Sequence, residues 1–436
     1  MEQSQQTARA MIPQGVATFL PEAAYLKRVI EREILNVFFK WGFQEIITPI
    51  FEYLDVVSLG MEQEVIEKGY KIVDRSNGRV MILRPDVTTQ VARMVAMLFS
   101  DRPKPLRLCY RENVFRYEGE HEGREREIFQ VGGELIGLAG PEADAEMIAI
   151  VVESLRRLGL SDFRIILGQV ELSRSLLQKM RLPLEFERQL QEALMKKETG
   201  LVRSLLRRSD LPRTVQNRFL TLMGLMGGPE VLKEAADLVT DRAARKALKN
   251  LEDVYGLLQA HGVEGRVLVD LGEIRGFEYY TGVVYEVFAN GVGYEIGRGG
   301  RYDNLIAKFG SPSPSTGFAF DLERLELALN KEGRRTDFSA ADLLLVGSRK
   351  AVRRVVTVAR DLRRQGYRVM QRIARVEGIK ELRSYATSVN IPVVLIVGGA
   401  KSSVVTAVEV ATGRQRQESL RRLCTQAAHP LWTKGA

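Results

Sequence analysis

An α+β fold in two domains is what this chain predicts, on three observations. Between Leu106 and Gly137, two runs alternate large apolar with polar or small residues, the period of half-buried strands, around the charged loop Gly119–Glu127. Further strand-like runs resume only after a stretch from about 170 to 262 that reads as helical throughout. Beyond the polar linker Lys331–Ser339, strand and helix alternate in a small α/β unit of roughly ninety residues. At 436 residues the chain is too long for one ordinary core.

In chain order, Leu26, Val29, Ile30, Ile34, Val37 and Phe38 fall at helical spacing after the turn signal Leu20-Pro21-Glu22, and Trp41-Gly42 ends that helix. Gln44–Phe51 reads as a strand. Tyr70–Asp74 and Val80–Leu83 form a hairpin turned at Ser76-Asn77-Gly78. Arg84–Thr89 then opens a helix through Gln90–Leu98. Residues 142–158 make another helix and Phe163–Gly168 a strand. The insertion holds helices at 176–179, 186–197, 201–207, 215–226, 231–238 and 243–261. Val267–Leu271 and Val283–Phe288 are strands. The glycines of Gly297-Arg298-Gly299-Gly300 suit a close backbone approach before a helix. Thr316–Leu325 is a strand entering a helix. In the tail, strands are expected at 343–346, 368–370, 393–397 and 404–410, with helices at 352–365 and 379–389.

Composition narrows the class. Apolar residues make up 45% and charged residues 27%, an ordinary soluble balance. No run of eighteen apolar residues occurs and the segment Met1–Arg9 leads into no apolar stretch, so neither a spanning helix nor a signal peptide is expected. Cys109 and Cys424 are far apart and form no metal-spaced set, which fits a reducing cytoplasm. From Ala341 onward the chain carries 18 Lys and Arg against 6 Asp and Glu; residues 1–340 carry 46 against 49. The basic tail suits nucleic acid, an acidic protein face or an anionic ligand, or is a solvated helix surface.

Several side chains are candidates for chemistry. In the hairpin, Arg116, Gln130 and Glu134 can share a sheet face, since residues two apart point the same way. Arginine's planar donors suit carboxylate or phosphate; glutamine and glutamate suit amines and imidazole N–H groups. Asp86 and Thr88 either cap the helix they precede or accept from a ligand ammonium. Tyr279 and Tyr280 are strand packing or part of a site with the arginine and double glycine that follow. The glycines match neither the dinucleotide fingerprint nor the phosphate loop.

These segments resemble the catalytic core of the class II histidyl-tRNA synthetases, and more closely their paralogues, the ATP phosphoribosyltransferase regulatory subunits. Leu106–Gly137 is similar to class II motif 2 and Gly317–Leu325 to motif 3. The runs 275–282 and 299–303 resemble the two histidine-specific signatures, and Trp41–Pro49, Arg84–Thr89 and Arg107–Tyr117 read as regulator. The resemblance implies an antiparallel sheet of six or seven strands flanked by helices over residues 1–335, a helical insertion, and an anticodon-binding-like domain at 341–436. It also implies a dimer through about Pro13–Phe51.

For the site, the resemblance implies an L-histidine pocket. Asp86 and Thr88 would meet the α-amino group, Arg116, Gln130 and Arg275 the carboxylate, and Glu134, Tyr279 and Tyr280 the imidazole. In the neighbouring nucleotide seat, Glu118-Gly119-Glu120-His121 loses a synthetase cation, and Asp321 stands where synthetases have glycine. A carboxylate near a triphosphate repels it by about 1–4 kcal/mol at surface-like dielectrics. The expectation is therefore a cytoplasmic, non-catalytic regulatory subunit with no metal, cofactor or catalytic residue of its own. Its partners would be L-histidine, the short-form ATP phosphoribosyltransferase catalytic subunit and a second copy of itself, with no membrane. An active histidine–tRNA ligase is the alternative, and RNA binding by the basic tail stays open.

Overall fold

In the computed structural model, which describes residues 12–117, 125–274, 279–333, 338–373, 378–398 and 404–419, Pro21 opens helix α1 (Pro21–Lys40). Proline suits that first turn because the N–H it lacks would have no helical partner there. The helix buries Ile30, Ile34, Leu35, Val37 and Phe38 along one face, and Gly42 turns the chain away at φ +80°.

The strand expected at Gln44–Phe51 is broken into β1 (Gln44–Glu45) and β2 (Phe51–Tyr53). Side chains satisfy the backbone between them. Glu112 accepts from Thr48 N–H at 3.0 Å, Arg84 donates to Thr48 O at 3.0 Å, and Gln90 donates to Pro49 O at 2.7 Å. With its donor and acceptors already used and no N–H on Pro49, the segment has no ladder to join. β3 (Lys71–Val73) and β4 (Val80–Leu83) form the expected hairpin, and β2 adds to it in the order β2-β4-β3. Helix α2 (Thr88–Leu98) follows.

Among the described residues the main sheet has nine strands rather than six or seven. Its further members are β5 (Leu106–Phe115), β6 (Glu127–Ile136), β7 (Phe163–Gln169), β8 (Met226–Gly227), β9 (Val267–Asp270), β10 (Val283–Ala289), β11 (Glu295–Arg301) and β12 (Ser315–Asp321). The order is β1-β5-β6-β12-β11-β10-β7-β9-β8, antiparallel except for the β1–β5 and β7–β9 pairs. Helix α3 (Pro141–Leu158) covers one face with α1, and their apolar residues meet those of β6, β7, β10 and β12 in the largest core cluster.

The insertion between β7 and β9 comprises α4 (Val170–Met180), α5 (Leu184–Met195), α6 (Thr199–Arg208), α7 (Arg213–Met223), α8 (Glu230–Leu238) and α9 (Arg242–Ala260). It is not purely helical. The helix expected to reach Met226 stops at Met223, and Met226–Gly227 pairs with β9 at the sheet edge.

The glycine tract also differs from expectation. Residues 297–301 lie in mid-sheet β11, not at a turn before a helix, and a Cβ at Gly299 or Gly300 would strike the rings of Tyr285 or Tyr280. These glycines make room for aromatic rings. Arg301 is structural too, buried on Asp144 at 2.9 Å and on the carbonyls of Leu138 and Gly140. Helix α10 (Leu322–Lys331) leaves β12.

The chain divides into two compact units, Met1–Arg335 and Thr336–Ala436. In the second, helices α11 (Val352–Arg364) and α12 (Ile379–Ser388) accompany β13 (Leu343–Gly347), β14 (Val369–Ile373), β15 (Val393–Val397), β16 (Val404–Glu409) and β17 (Gln415–Ser419). The sheet order is β14-β13-β15-β16-β17, with an apolar cluster on each face. β17 was not anticipated, because Gln-Arg-Gln-Glu-Ser has no apolar residue to give a period. Among the described residues no helix is long and apolar enough to cross a membrane.

Phe38 ties α1 to the sheet. It is fully buried, its ring lies 5.3 Å from Phe318 and 5.0 Å from Phe43, and Gly133 leaves it the space. Truncation to alanine should cost about 3–5 kcal/mol. A Phe38→Ala variant is therefore expected to unfold at clearly lower urea, measured by circular dichroism.

Candidate ligand-binding site

Seven of the eight residues proposed from the sequence line one cavity of about 200 Å³: Asp86, Thr88, Arg116, Gln130, Glu134, Tyr279 and Tyr280. The eighth, Arg275, lies outside the described residues. Strand register explains the convergence. Glu134, Gly132 and Gln130 of β6 stand opposite Gly317, Ala319 and Asp321 of β12; Gly317 and Ala319 in turn stand opposite Gly300 and Arg298 of β11. Next to these, β10 contributes Val284 and Glu286. The floor is thus small residues edged by charged ones.

Glu134 is buried in the cavity wall, with 1% of its surface exposed. Its Oε1 accepts from Thr88 Oγ1 at 2.9 Å and from Tyr110 hydroxyl at 3.4 Å, and its Oε2 accepts from Tyr302 hydroxyl. Burial lifts its carboxyl to about 8, and the Asp86 charge pushes the same way against the hydroxyl donors. Gly317 is required opposite it, since a Cβ there would sit 1.6 Å from Oε2. Tyr279 and Tyr280 meet edge to face at 4.9 Å, with Tyr302 5.5 Å from Tyr279. Burial raises all three phenols, so they stay protonated donors.

Asp86 sits at the start of α2 and on the cavity wall. Its Oδ2 accepts from Thr89 N–H and Thr89 Oγ1, both at 3.0 Å, which caps α2, and the same side chain lines the cavity. The turn before it is fixed by Arg84, buried against Glu112 at 2.6 Å and donating to Asn113 O at 2.5 Å. Arg116 donates to Pro85 O at 2.6 Å, which holds the turn to the end of β5.

Other lining residues were not singled out beforehand. Tyr110 and Tyr302 support Glu134, while Glu62, Glu273, Glu286 and Arg298 add charge to the wall. Tyr302 carried a signal in the sequence, as it follows Gly299-Gly300-Arg301. Tyr110 carried one only through register, opposite Gly132, where a Cβ would crowd its hydroxyl.

A second cavity of about 300 Å³ adjoins the first and shares Arg116, Gln130, Arg298 and Ala319 with it. Its wall includes four carboxylates, Glu125, Glu295, Asp321 and Glu323. Arg324, the motif 3 arginine, is gripped by Glu295 Oε1 at 2.9 Å and Asp321 Oδ2 at 3.2 Å. Asp321 also caps α10 through Arg324 N–H at 3.3 Å. Glu323 pairs with Lys27, whose ammonium lies 4.3 Å from the rings of both Phe19 and Phe129. Burial lifts Glu323 to about 7 despite that cation, with Glu125 and Asp321 adding repulsion. The first cavity therefore presents complements for an ammonium, a carboxylate and two ring nitrogens. In the second, Arg324 is paired with Glu295 and Asp321, while Arg116 and Arg298 are shared with the first. Among the described residues no group of three metal-ligating side chains comes together.

Residues 15–325 match the histidyl-tRNA synthetase family. The chain is 40% identical over 390 residues, 89% of each chain, to the ATP phosphoribosyltransferase regulatory subunit of Geobacter sulfurreducens. It is 37% identical over 411 residues, 94% of this chain and 96% of the other, to the protein of the same name from Syntrophotalea carbinolica. Its structure is similar to that of an ATP phosphoribosyltransferase regulatory subunit/histidyl-tRNA synthetase from Bacillus halodurans C, with TM-score 0.78, 30% identity and coverage of 86% of this chain and 96% of that one. The histidyl-tRNA synthetase of Nostoc sp. PCC 7120 aligns at TM-score 0.81 over 95% of this chain and 98% of its own; at 22% identity it speaks for the fold alone. The chain belongs to the histidyl-tRNA synthetase-like family of ATP phosphoribosyltransferase regulatory subunits.

Proposed function

We propose that this chain is a non-catalytic regulatory subunit. It binds a short-form ATP phosphoribosyltransferase catalytic subunit and takes L-histidine into the Glu134 cavity as a feedback signal. The observation that carries this is the contrast between adjoining cavities: an amino-acid cradle beside a nucleotide seat whose Arg324 is held by Asp321 and Glu295. Histidine would act by linkage. It shifts the assembly between active and inhibited states by no more than its difference in affinity for them, each tenfold being about 1.4 kcal/mol.

The deciding experiment is co-purification with the catalytic subunit, followed by phosphoribosyl transfer assays with and without histidine. Complex formation and histidine-dependent inhibition are expected. Histidine-dependent pyrophosphate exchange by the chain alone would instead identify an active histidine–tRNA ligase.

Protonation gives a sharper test of the cavity. With Glu134 lifted to about 8, its carboxyl is mostly protonated at pH 7.5 before a ligand binds. An imidazole N–H donates more strongly to the ionised form than to the protonated one, so binding should favour ionisation and release a proton. Free imidazole is already neutral above about pH 7. Histidine affinity should therefore rise as the pH climbs from 7 through about 8, the range in which Glu134 ionises. Calorimetry in buffers of different ionisation enthalpy counts that proton. Glu134→Gln should abolish its release and weaken binding by about ten- to a hundredfold, as for loss of a charged hydrogen bond of about 1.5–3 kcal/mol.

Self-association has its own support. Ile47 is 84% exposed, and Ile50 and Phe51, which follow it in the chain, are exposed as well. An apolar group of that kind marks an association surface. An Ile47→Asp, Phe51→Asp variant is expected to halve the mass seen by light scattering relative to the unaltered chain.

A further inference from the structure

Glu273 faces the ligand cavity, while its neighbour Ile274 is fully buried in the insertion's own apolar cluster with Leu177, Leu190, Leu206 and Phe219. Two consecutive residues thus belong to two bodies of side chains, the cavity wall and the insertion core. Backbone contacts tie this turn to the insertion. Met226 of β8 pairs opposite Asp270, Leu271 N–H donates to Leu225 O at 3.1 Å, and Gly272 lies so near Met223 O that a Cβ would approach it to 2.3 Å.

Lys197, just beyond α5, closes the junction. Its Nζ lies 2.7 Å from Asp270 Oδ2 and 3.3 Å from Glu273 Oε2, and it donates to Gly272 O at 3.1 Å. The residue holds φ +54°, a left-handed conformation that lysine rarely adopts. On the other side of residues 275–278, Arg174 of α4 donates to the Tyr280 carbonyl at 2.9 Å, and Tyr280 lines the same cavity. The insertion therefore supplies a cation to the described residues on both sides of that segment.

We propose that Lys197 is a positioning residue that holds Glu273 at the cavity wall and so couples the helical insertion to ligand occupancy. Asp270 and Glu273 are both buried and both lie against one ammonium. Without it, the two carboxylates lose their shared counter-ion and repel each other, which shifts Glu273 relative to the cavity. A ligand donor that engages Glu273 acts on the same ion cluster from the other side, which gives the insertion two ion-pair arrangements to distinguish. Occupancy by histidine rests on the function proposed above; the ion cluster itself does not.

Hydrogen exchange on the full chain tests this, comparing wild type with Lys197→Met and Lys197→Arg, with and without saturating L-histidine, alongside calorimetry. In wild type, histidine is expected to slow exchange in β6 and also in α5 and α6. In Lys197→Met, ligand-free exchange across Leu271–Ile274 should rise, histidine affinity should fall about tenfold, and α5 and α6 should no longer respond while β6 still does. Lys197→Arg should restore the response. Unchanged ligand-free exchange across Leu271–Ile274 in Lys197→Met, or a wild-type response of α5 and α6 in that variant, would overturn the coupling. If wild type shows neither heat nor protection with histidine, histidine as the ligand is refuted, and the ligand-free comparison still decides whether Lys197 holds the turn.

Discussion

Taking Glu134 out of water leaves its carboxyl dependent on hydroxyls from three other segments. Thr88 arrives on the first turn of α2, Tyr110 on β5 and Tyr302 just after β11. A buried acceptor left unmatched is costly, so these donors fix where α2, β5 and the end of β11 stand relative to β6. The same carboxylate dictates what faces it, because Gly317 has no room for a side chain. Other small residues of the floor answer to rings instead, Gly299 and Gly300 to Tyr285 and Tyr280 and Gly132 to Tyr110. Glu134 also sets the electrostatics, since burial lifts its carboxyl to about 8 against those three hydroxyl donors.

Along the same sheet face, the balance of charge changes within two residues of β12. At Gly317 and Ala319 the floor is open; at Asp321 it carries a carboxylate. Asp321 has a structural use that stabilises it there, since it satisfies an end N–H of α10 and pairs with Arg324. The arginine that could meet a phosphate is thereby held by the residue that would repel one. Lys27 is similarly engaged, between two aromatic rings and Glu323. Both cations thus stand in ion pairs already formed within the wall.

Much of this was legible from local pattern. The period of two in Leu106–Gly137 put Arg116, Gln130 and Glu134 on one face, and the Asn-Gly turn located β3 and β4. What escaped depends on contacts distant in sequence. Gln44–Phe51 has the composition of a strand, yet Arg84, Gln90 and Glu112 claim its backbone groups. The glycines at 297–300 suggest a ligand loop, and only the positions of Tyr280 and Tyr285 reveal that they clear space for rings. Tyr110 has no motif of its own and is brought to Glu134 purely by strand register. β8 is two residues long and β17 is polar, so neither leaves a periodic trace.

Lys197 belongs with those long-range features, and the topology explains why such a residue falls where it does. The insertion leaves the sheet after β7 and returns at β9, and these strands are parallel neighbours. A parallel pair needs a crossover, and here the crossover has grown into a helical unit with its own core. Its exit strand runs directly into the Asp270–Ile274 turn, whose next side chain toward the sheet, Glu273, is part of the cavity wall. Any displacement of the insertion is therefore delivered to that turn through β8, Ile274 and Lys197 together. An insertion placed at a surface hairpin elsewhere could move without the cavity registering it; one placed between β7 and β9 cannot.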